Sequence, residues 1–354
     1  MRLLHSILRR LLPLALVLLG RTVLAEPVNF VLEAHQAREV FLAGEMTDWD
    51  SAKRPMTRGD DGVWRLTVDL APGQWLYKFV VDGQWVHDPA SADHDNDGRG
   101  GQHSFVFVGE GPWTAPASGH GQVVTHQVDS KALGRSLRVH VYLPAGYRQN
   151  QKLPVLWLLH GGGMNADQWF KTGHIERYLD RLVAARRVRP FVVVMPSAGP
   201  EPEFEGASER FMSSELPAWL ARRYGLRTSR PQSALAGMSL GGYGTVALAA
   251  RHPAQYGFGY SLGGWFPDAL ISELQRGPAL KTPLVLRCGS EDSLLPTNRK
   301  LVAALRARGT PVDYREGTGG HSFFYWSSQT EAMLLAVDAF FRAAPGRVPR
   351  AGTN

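Results

Sequence analysis

LAGMSLGGYG, residues 235–244, is the stretch on which the reading of the chain turns. Its centre, Gly237-Met238-Ser239-Leu240-Gly241, is a Gly-x-Ser-x-Gly match, a pattern too common to mean much alone. The setting adds the information. SALAG (233–237) has the look of a short buried strand, and GGYGTVALAA (241–250) opens a helix. A strand that turns sharply into a helix strains the backbone at the turn and crowds it from both sides, so the flanking positions must lack side chains. In that strand-turn-helix context Ser239 is a candidate nucleophile.

Working outward, the same grammar repeats from Leu153. LPVLWLL, PFVVVMP, SALAG and TPLVLRC read as buried strands. Between and after them lie the amphipathic segments IERYLDRLVAARR, SSELPAWLARRY, GTVALAARH, NRKLVAALRARG and QTEAMLLAVDAFF. Strands alternating with helices predict an α/β fold, a doubly wound, mostly parallel sheet covered on both faces. Upstream the grammar differs. REVFLAG, GVWRLTVDL, WLYKFVVDG and HSFVFVG alternate apolar and polar residues between turn residues, which predicts a small all-β, immunoglobulin-like sandwich. GEGPWTAPASGHG, rich in Gly, Pro and Ala, reads as a linker. The expected boundaries are a leader at 1–25, the sandwich at 26–109, the linker at 110–121, the α/β domain at 122–345 and a tail at 346–354.

The leader reading rests on the basic start (Arg2, Arg9, Arg10), the leucine-rich run 11–19 and the small or apolar Val23 and Ala25. The apolar run is about half the ~20 residues a bilayer span needs, so cleavage after Ala25 and export, secreted or periplasmic, are expected in place of a stable membrane anchor. Without this segment the net charge falls from +7 by four arginines to +3. No dense Lys/Arg stripe remains, so nucleic acid is not an expected partner. Cys288, the single cysteine, sits in an apolar strand pattern and reads as buried. The composition, 44% hydrophobic and 20% charged in 354 residues, is that of a folded chain with room for two modules.

A serine hydroxyl needs a base, and in this chain order the base follows an acid that follows the serine. Only His252 and His321 come after Ser239. His252 lies at a helix end beside a proline, where capping is the simpler role. His321, in the glycine-rich loop GTGGHSFFYW, is the candidate base. Among the carboxylates between them, Asp292 in CGSEDSLLP directly follows a buried strand, with Glu291 next in line and Asp313 read as structural. Two backbone amides must face the developing oxyanion. Leu240, the residue after the serine, supplies one, and the second is sought in LLHGGGMN at Gly161 and Gly162. His160 in that stretch has no partner at zinc spacing and reads as loop-shaping. Neither cofactor nor metal is needed by this chemistry.

With those residues in hand, 123–341 resembles the esterase D-like branch of the α/β-hydrolases, through YLPAGY, LLHGGG, SSELPAWL, GMSLGG, CGSED and GGHSFFYW. That branch contains feruloyl and acetylxylan esterases, enterochelin-type esterases and mycolyltransferases. The resemblance implies a Ser239-His321-Asp292 triad, with Leu240 and Gly162 as oxyanion donors and an ester as substrate. VFLAGEMTDWD, GVWRLTVDLAPGQWLYKFVVDGQWVHDP and GGQHSFVFV make the first module similar to family-48 carbohydrate-binding modules. That similarity implies sugar stacking on Trp49 and Trp85 with Lys78 as donor, although His103 stands where an asparagine often contacts sugar, and many such modules serve only as scaffolding. The expectation is an exported serine esterase acting on carbohydrate-linked esters. A siderophore trilactone esterase, an acyltransferase and a non-catalytic glycan-binding protein are the alternatives. DHDNDG (93–98) starts like a calcium loop but has Ser104 at the twelfth position, and reads as a solvated connection. Trp169, Trp265 and Trp326 are candidates either for a pocket wall or for core.

Overall fold

The computed structural model describes residues 24–343 apart from 92–93, 97–101, 112, 115, 117 and 200–202. The leader, except for its last two residues, the tail 346–354 and residues 93, 97 and 98 of DHDNDG lie outside the described residues. Residues 26–108 form two antiparallel sheets. Glu26–Glu33, Val63–Leu70 and Thr57–Arg58 make one. Arg54–Pro55, Val40–Gly44, Gly73–Val81, Gln102–Val108 and His94–Asn96 run across the other, with Gln84–Val86 paired to Gly73–Val81. Phe30, Leu32 and Val68 from the first sheet and Val40, Leu42 and Phe79 from the second share one core, which makes the module a sandwich.

The second module is built on an eight-stranded sheet. Its spatial order is Gln122–Ser130, Arg135–Leu143, Val192–Pro196, Val155–Leu159, Ser233–Met238, Phe258–Leu262, Leu284–Gly289 and Val312–Gly317. The first two strands run antiparallel and the other six are mutually parallel. Side chains of Val155–Leu159 show why the run is apolar throughout. Val155, Trp157 and Leu159 enter one core and Leu156 and Leu158 the other, as the two-residue period of a doubly covered strand requires. Helices Leu216–Tyr224, Leu240–Arg251, Asp268–Arg276 and Leu295–Ala307 pack on the first face, and Ile175–Ala184 and Phe323–Arg342 on the second. This is the α/β-hydrolase arrangement. Serine, acid and histidine loops all leave C-terminal ends of its parallel strands, where such sheets present their sites.

The final helix begins earlier than its periodicity suggests. FFYW belongs to Phe323–Arg342 and not to the histidine loop, because Ser322 caps it by accepting from the Tyr325 amide at 3.3 Å. The modules also meet over an apolar seam. Leu76 and Phe105 of the sandwich join the core on the second face of the hydrolase sheet. Trp75 stacks on Phe324 at 4.1 Å, and the Phe107 ring lies 5.1 Å from His174. The segment read as a linker lies along Ile175–Ala184: Arg181 donates to the Gly111 carbonyl at 2.6 Å, and the Gly121 amide donates to Asp180 at 2.8 Å.

Candidate active site

Ser239 joins strand Ser233–Met238 to helix Leu240–Arg251 with φ 52° and ψ −118°. Such backbone angles cost on the order of 1–3 kcal/mol in a non-glycine residue and persist only where the surroundings impose them. The surroundings do. A methyl on Gly237 would collide with the Gly241 carbonyl, and one on Gly241 with the Leu159 and His160 carbonyls. The Ser239 amide donates to the Leu262 carbonyl at 2.9 Å, and the Trp265 and Tyr243 amides both donate to the Ser239 carbonyl. The turn is held from three sides, and its hydroxyl points out of it.

His321 Nε2 lies 3.0 Å from Ser239 Oγ, and His321 Nδ1 lies 2.9 Å from Asp292 Oδ2. With a buried carboxylate on Nδ1, the proton of the neutral ring belongs there, so Nε2 is the acceptor that faces the serine. Asp292 is itself fixed, since its Oδ1 accepts from the Leu294 amide at 2.8 Å. The acid and histidine loops are joined backbone to backbone: Ser290 N donates to Gly317 O at 2.7 Å and Glu291 N to Gly319 O at 3.0 Å. The His321 and Trp326 rings pack at right angles, centroids 4.9 Å apart and planes at 86°.

The strand-end loop after Leu159 lies against the serine. Gly161 faces the Ser239 Cβ, and its amide is committed to Gln168 Oε1 at 2.7 Å. Gly162 comes next and abuts the Leu240 side chain, so the Gly162 and Leu240 residues are neighbours across the site. His160 shapes this loop. Its Nδ1 donates to the Gly161 carbonyl at 2.7 Å and its Nε2 accepts from the Ala198 amide at 2.9 Å. Burial holds its pKa down at about 4, so the ring is a neutral bridge between two strand-end loops.

The other candidates sort by their contacts. Glu291 is exposed, whereas Asp313 pairs with Arg287 at 3.0 Å and His252 with Glu209 at 2.8 Å. Cys288 is buried, and burial pushes its thiol up to about 12. Of the three tryptophans, Trp265 is 43% exposed, while Trp326 backs the histidine. Trp169 is core and not wall: it is 1% exposed and its indole donates to the Leu159 carbonyl at 2.8 Å. A loop position alone does not separate a pocket wall from a core side chain. No group of three His, Cys, Asp or Glu among the described residues could hold a metal ion, and no described helix is long and apolar enough to cross a membrane.

On the sandwich, Trp49 and Trp85 lie with ring centroids 6.4 Å apart and planes at 38°, and they are 38% and 45% exposed. Trp49 follows Asp48 into the left-handed region, with φ 60° after φ 55°. For a bulky residue that is an outlier held by its neighbours, here through Trp49 N donating to Gly44 O at 2.9 Å. Lys78 and His103, the other two sugar-contact positions of the resemblance, are both buried. The motif reading missed two participants. Gly263, at φ +50°, backs the Asp292-His321 pair, and Glu45 of the sandwich reaches the start of the helix after His321. Gly263 sits in a GG pair after a buried strand, the one cue that could have found it.

Residues 130–267 match the family described as "Putative esterase", and residues 27–110 the one described as "Glycogen recognition site of AMP-activated protein kinase". An endo-1,4-beta-xylanase/feruloyl esterase of Xylanibacter ruminicola is 27% identical over 302 residues, 80% of this chain and 41% of that protein. The chain thus spans about two fifths of the length of the first curated relatives it matches. A solved ferulic acid esterase superposes with a TM-score of 0.59 at 25% identity, covering 63% of this chain and 100% of that one. The enterochelin esterase of Shigella flexneri shares the fold across both modules, with a TM-score of 0.72 at 19% identity over 89% of this chain and 93% of that one. Residues 130–267 are therefore similar to an esterase family, on an α/β-hydrolase fold, and residues 27–110, which precede them in the same chain, to the glycogen-recognition type.

Proposed function

We propose that the chain is an exported serine hydrolase of carboxylic esters that acts on carbohydrate-linked acyl groups, feruloyl or acetyl. The observation that supports the chemistry is the continuous hydrogen-bonded line from Ser239 Oγ through His321 to Asp292, at 3.0 and 2.9 Å, on a strained turn. In this reading His321 Nε2 takes the hydroxyl proton as Oγ attacks the ester carbonyl, and Asp292 stabilises the imidazolium. The Leu240 and Gly162 amides meet the oxyanion; one such donor is worth roughly 10²–10³ in kcat. The imidazolium then protonates the leaving alcohol, and water, deprotonated by the same ring, releases the acid and restores the serine.

The substrate class rests on the sandwich and on the named relatives. Two exposed tryptophans with adjacent rings offer a stacking platform for sugar rings, and the relatives include proteins named as feruloyl or ferulic acid esterases. Export rests on the reading of residues 1–25 as a cleaved leader. The test is hydrolysis of p-nitrophenyl acetate, methyl ferulate, acetylated xylan and a catecholate trilactone by residues 26–354, beside Ser239→Ala. Preference for the feruloyl or acetyl-xylan member, lost in the variant, supports the reading. Preference for the trilactone refutes the substrate class, and equal inertness of both proteins refutes the enzyme.

A further inference from the structure

Glu45 opens the 3-10 turn Glu45–Thr47 of the sandwich, 279 positions before its partner Phe324. Its carboxylate spans the seam between the modules. Oε2 accepts from the Leu76 amide of the sandwich at 2.9 Å, and Oε1 accepts from the Phe324 amide of the hydrolase at 2.9 Å. Phe324 is the second residue of helix Phe323–Arg342, so its amide has no partner within the helix. Ser322 satisfies the Tyr325 amide and Glu45 the Phe324 amide, which gives this N-terminus one cap from its own chain segment and one from the other module. A negative group there is also favoured by the helix dipole.

The contact lies close to the reacting atoms in sequence and is braced in space. His321 directly precedes the capping Ser322. Trp75 stacks on Phe324 at 4.1 Å, and a methyl on Gly73 would come within 2.9 Å of the same ring, so backbone and aromatic both press on this turn. Enclosing a carboxylate in a seam that also buries Leu76, Phe105 and the stacked Trp75 and Phe324 rings opposes docking. Burial pushes the Glu45 pKa up to about 7, against the Leu76, Phe324 and Phe323 amides and the Ser322 hydroxyl that favour the anion. An apolar residue would escape that desolvation but would leave the Leu76 and Phe324 amides without an acceptor.

We propose that Glu45 is a positioning residue for His321, so that the sandwich and the hydrolase form one catalytic unit in place of an enzyme with a tethered module. This rests on the reading of Ser239, His321 and Asp292 as an ester-hydrolysing triad. A glutamine at position 45 has one acceptor oxygen for two amides and turns an NH2 group on the other, which loosens the turn that carries the histidine. A carboxylate that served docking alone would alter stability and leave turnover per folded molecule unchanged.

The test compares the full mature chain with Glu45→Gln and with Asp61→Asn, a control in the exposed Asp61-Arg65 pair of the same sandwich. Turnover of p-nitrophenyl acetate, too small to need the sandwich for binding, is read together with hydrogen exchange of residues 317–330. Glu45→Gln is expected to lower kcat about 10–100-fold with KM within about twofold, since small misplacements of a catalytic group cost about that much. Exchange at 322–326 should quicken, and Asp61→Asn should match wild type in both readouts. Folded Glu45→Gln with wild-type kcat overturns the proposal. If that variant does not fold, Glu45→Asp, whose carboxylate is one methylene too short to reach both the Leu76 and Phe324 amides, must show the same kcat loss, and wild-type kcat in it overturns the proposal equally. Wild type that hydrolyses no ester refutes the triad reading, and the clamp is then judged on exchange alone: faster exchange at 322–326 in Glu45→Gln supports it and unchanged exchange overturns it.

Discussion

Gly263 and Asp292 approach so closely that a methyl on Gly263 would stand 2.6 Å from Asp292 Oδ2, the oxygen that holds His321. The same methyl would lie 3.5 Å from His321 Nδ1, and φ at this residue is +50°. Any side chain therefore meets both members of the pair and a disfavoured backbone together. Gly263→Ala is expected to keep the fold and to lower kcat about 100-fold or more, because it displaces the acid from the imidazole. Kinetics beside circular dichroism check this, and wild-type kcat in the variant would show that the Asp292-His321 contact is dispensable.

Asp292→Asn should be nearly as damaging as loss of the serine. The Leu294 amide needs an acceptor and would claim the asparagine oxygen, which turns the NH2 group toward His321 Nδ1. That forces the other tautomer, with a proton on the nitrogen that must accept one from Ser239. A kcat loss of about 10⁴ is expected. Glu291→Gln, an exposed neighbour, should change kcat by about twofold at most. The reverse ranking would move the acid from 292 to 291.

His160 makes stability depend on pH with a definite sign. Its pKa is about 4 in the folded chain against 6.5 for a free imidazole, so between those values the unfolded chain binds a proton that the folded one refuses. The contribution is whole above pH 6.5 and is lost as pH falls toward 4, by about 3 kcal/mol in all. Urea unfolding of wild type and His160→Gln at pH 7, 5.5 and 4.5 measures it. The stability gap should be widest at pH 7 and narrow on acidification, and a constant gap would contradict the neutral bridge.

Truncating the exposed rings should separate binding from chemistry. Trp49→Ala and Trp85→Ala are expected to weaken retention on insoluble xylan or starch about tenfold or more each, the usual loss for an aromatic anchor. Affinity electrophoresis checks this. Retention equal to wild type in both variants would leave the sandwich without a glycan site at Trp49 and Trp85.

Much of this arrangement can be read from local rules, and the remainder depends on docking. Gly237 and Gly241 are legible because sterics at a strand-to-helix turn leave no other residue type. Asp292 and His321 follow from chain order and from their places after strands, and the structure brings both to Ser239. The two modules are legible in the contrast between alternating runs before residue 109 and unbroken apolar runs such as VVVMP. Glu45 is not legible, since its role exists only once two separately patterned modules meet over 279 positions. The early start of the last helix was hidden for a related reason. Aromatic FFYW carries no clear helical period, and the Ser322 cap stands in a glycine-rich run that reads as loop. Trp169 shows the limit in the other direction, because a tryptophan in a loop segment can face substrate or core and only packing decides.

The central claim is that Ser239 is a nucleophile activated by His321, and covalent labelling tests it most directly. Purified mature chain would be treated with a fluorophosphonate and its intact mass and labelled peptide determined, beside Ser239→Ala and His321→Ala. The account predicts one phosphonyl adduct per chain, on the peptide that contains Ser239, absent from the serine variant and formed at least about 100-fold more slowly in the histidine variant. A folded wild-type chain that takes no adduct, or one labelled equally well without Ser239, would contradict it.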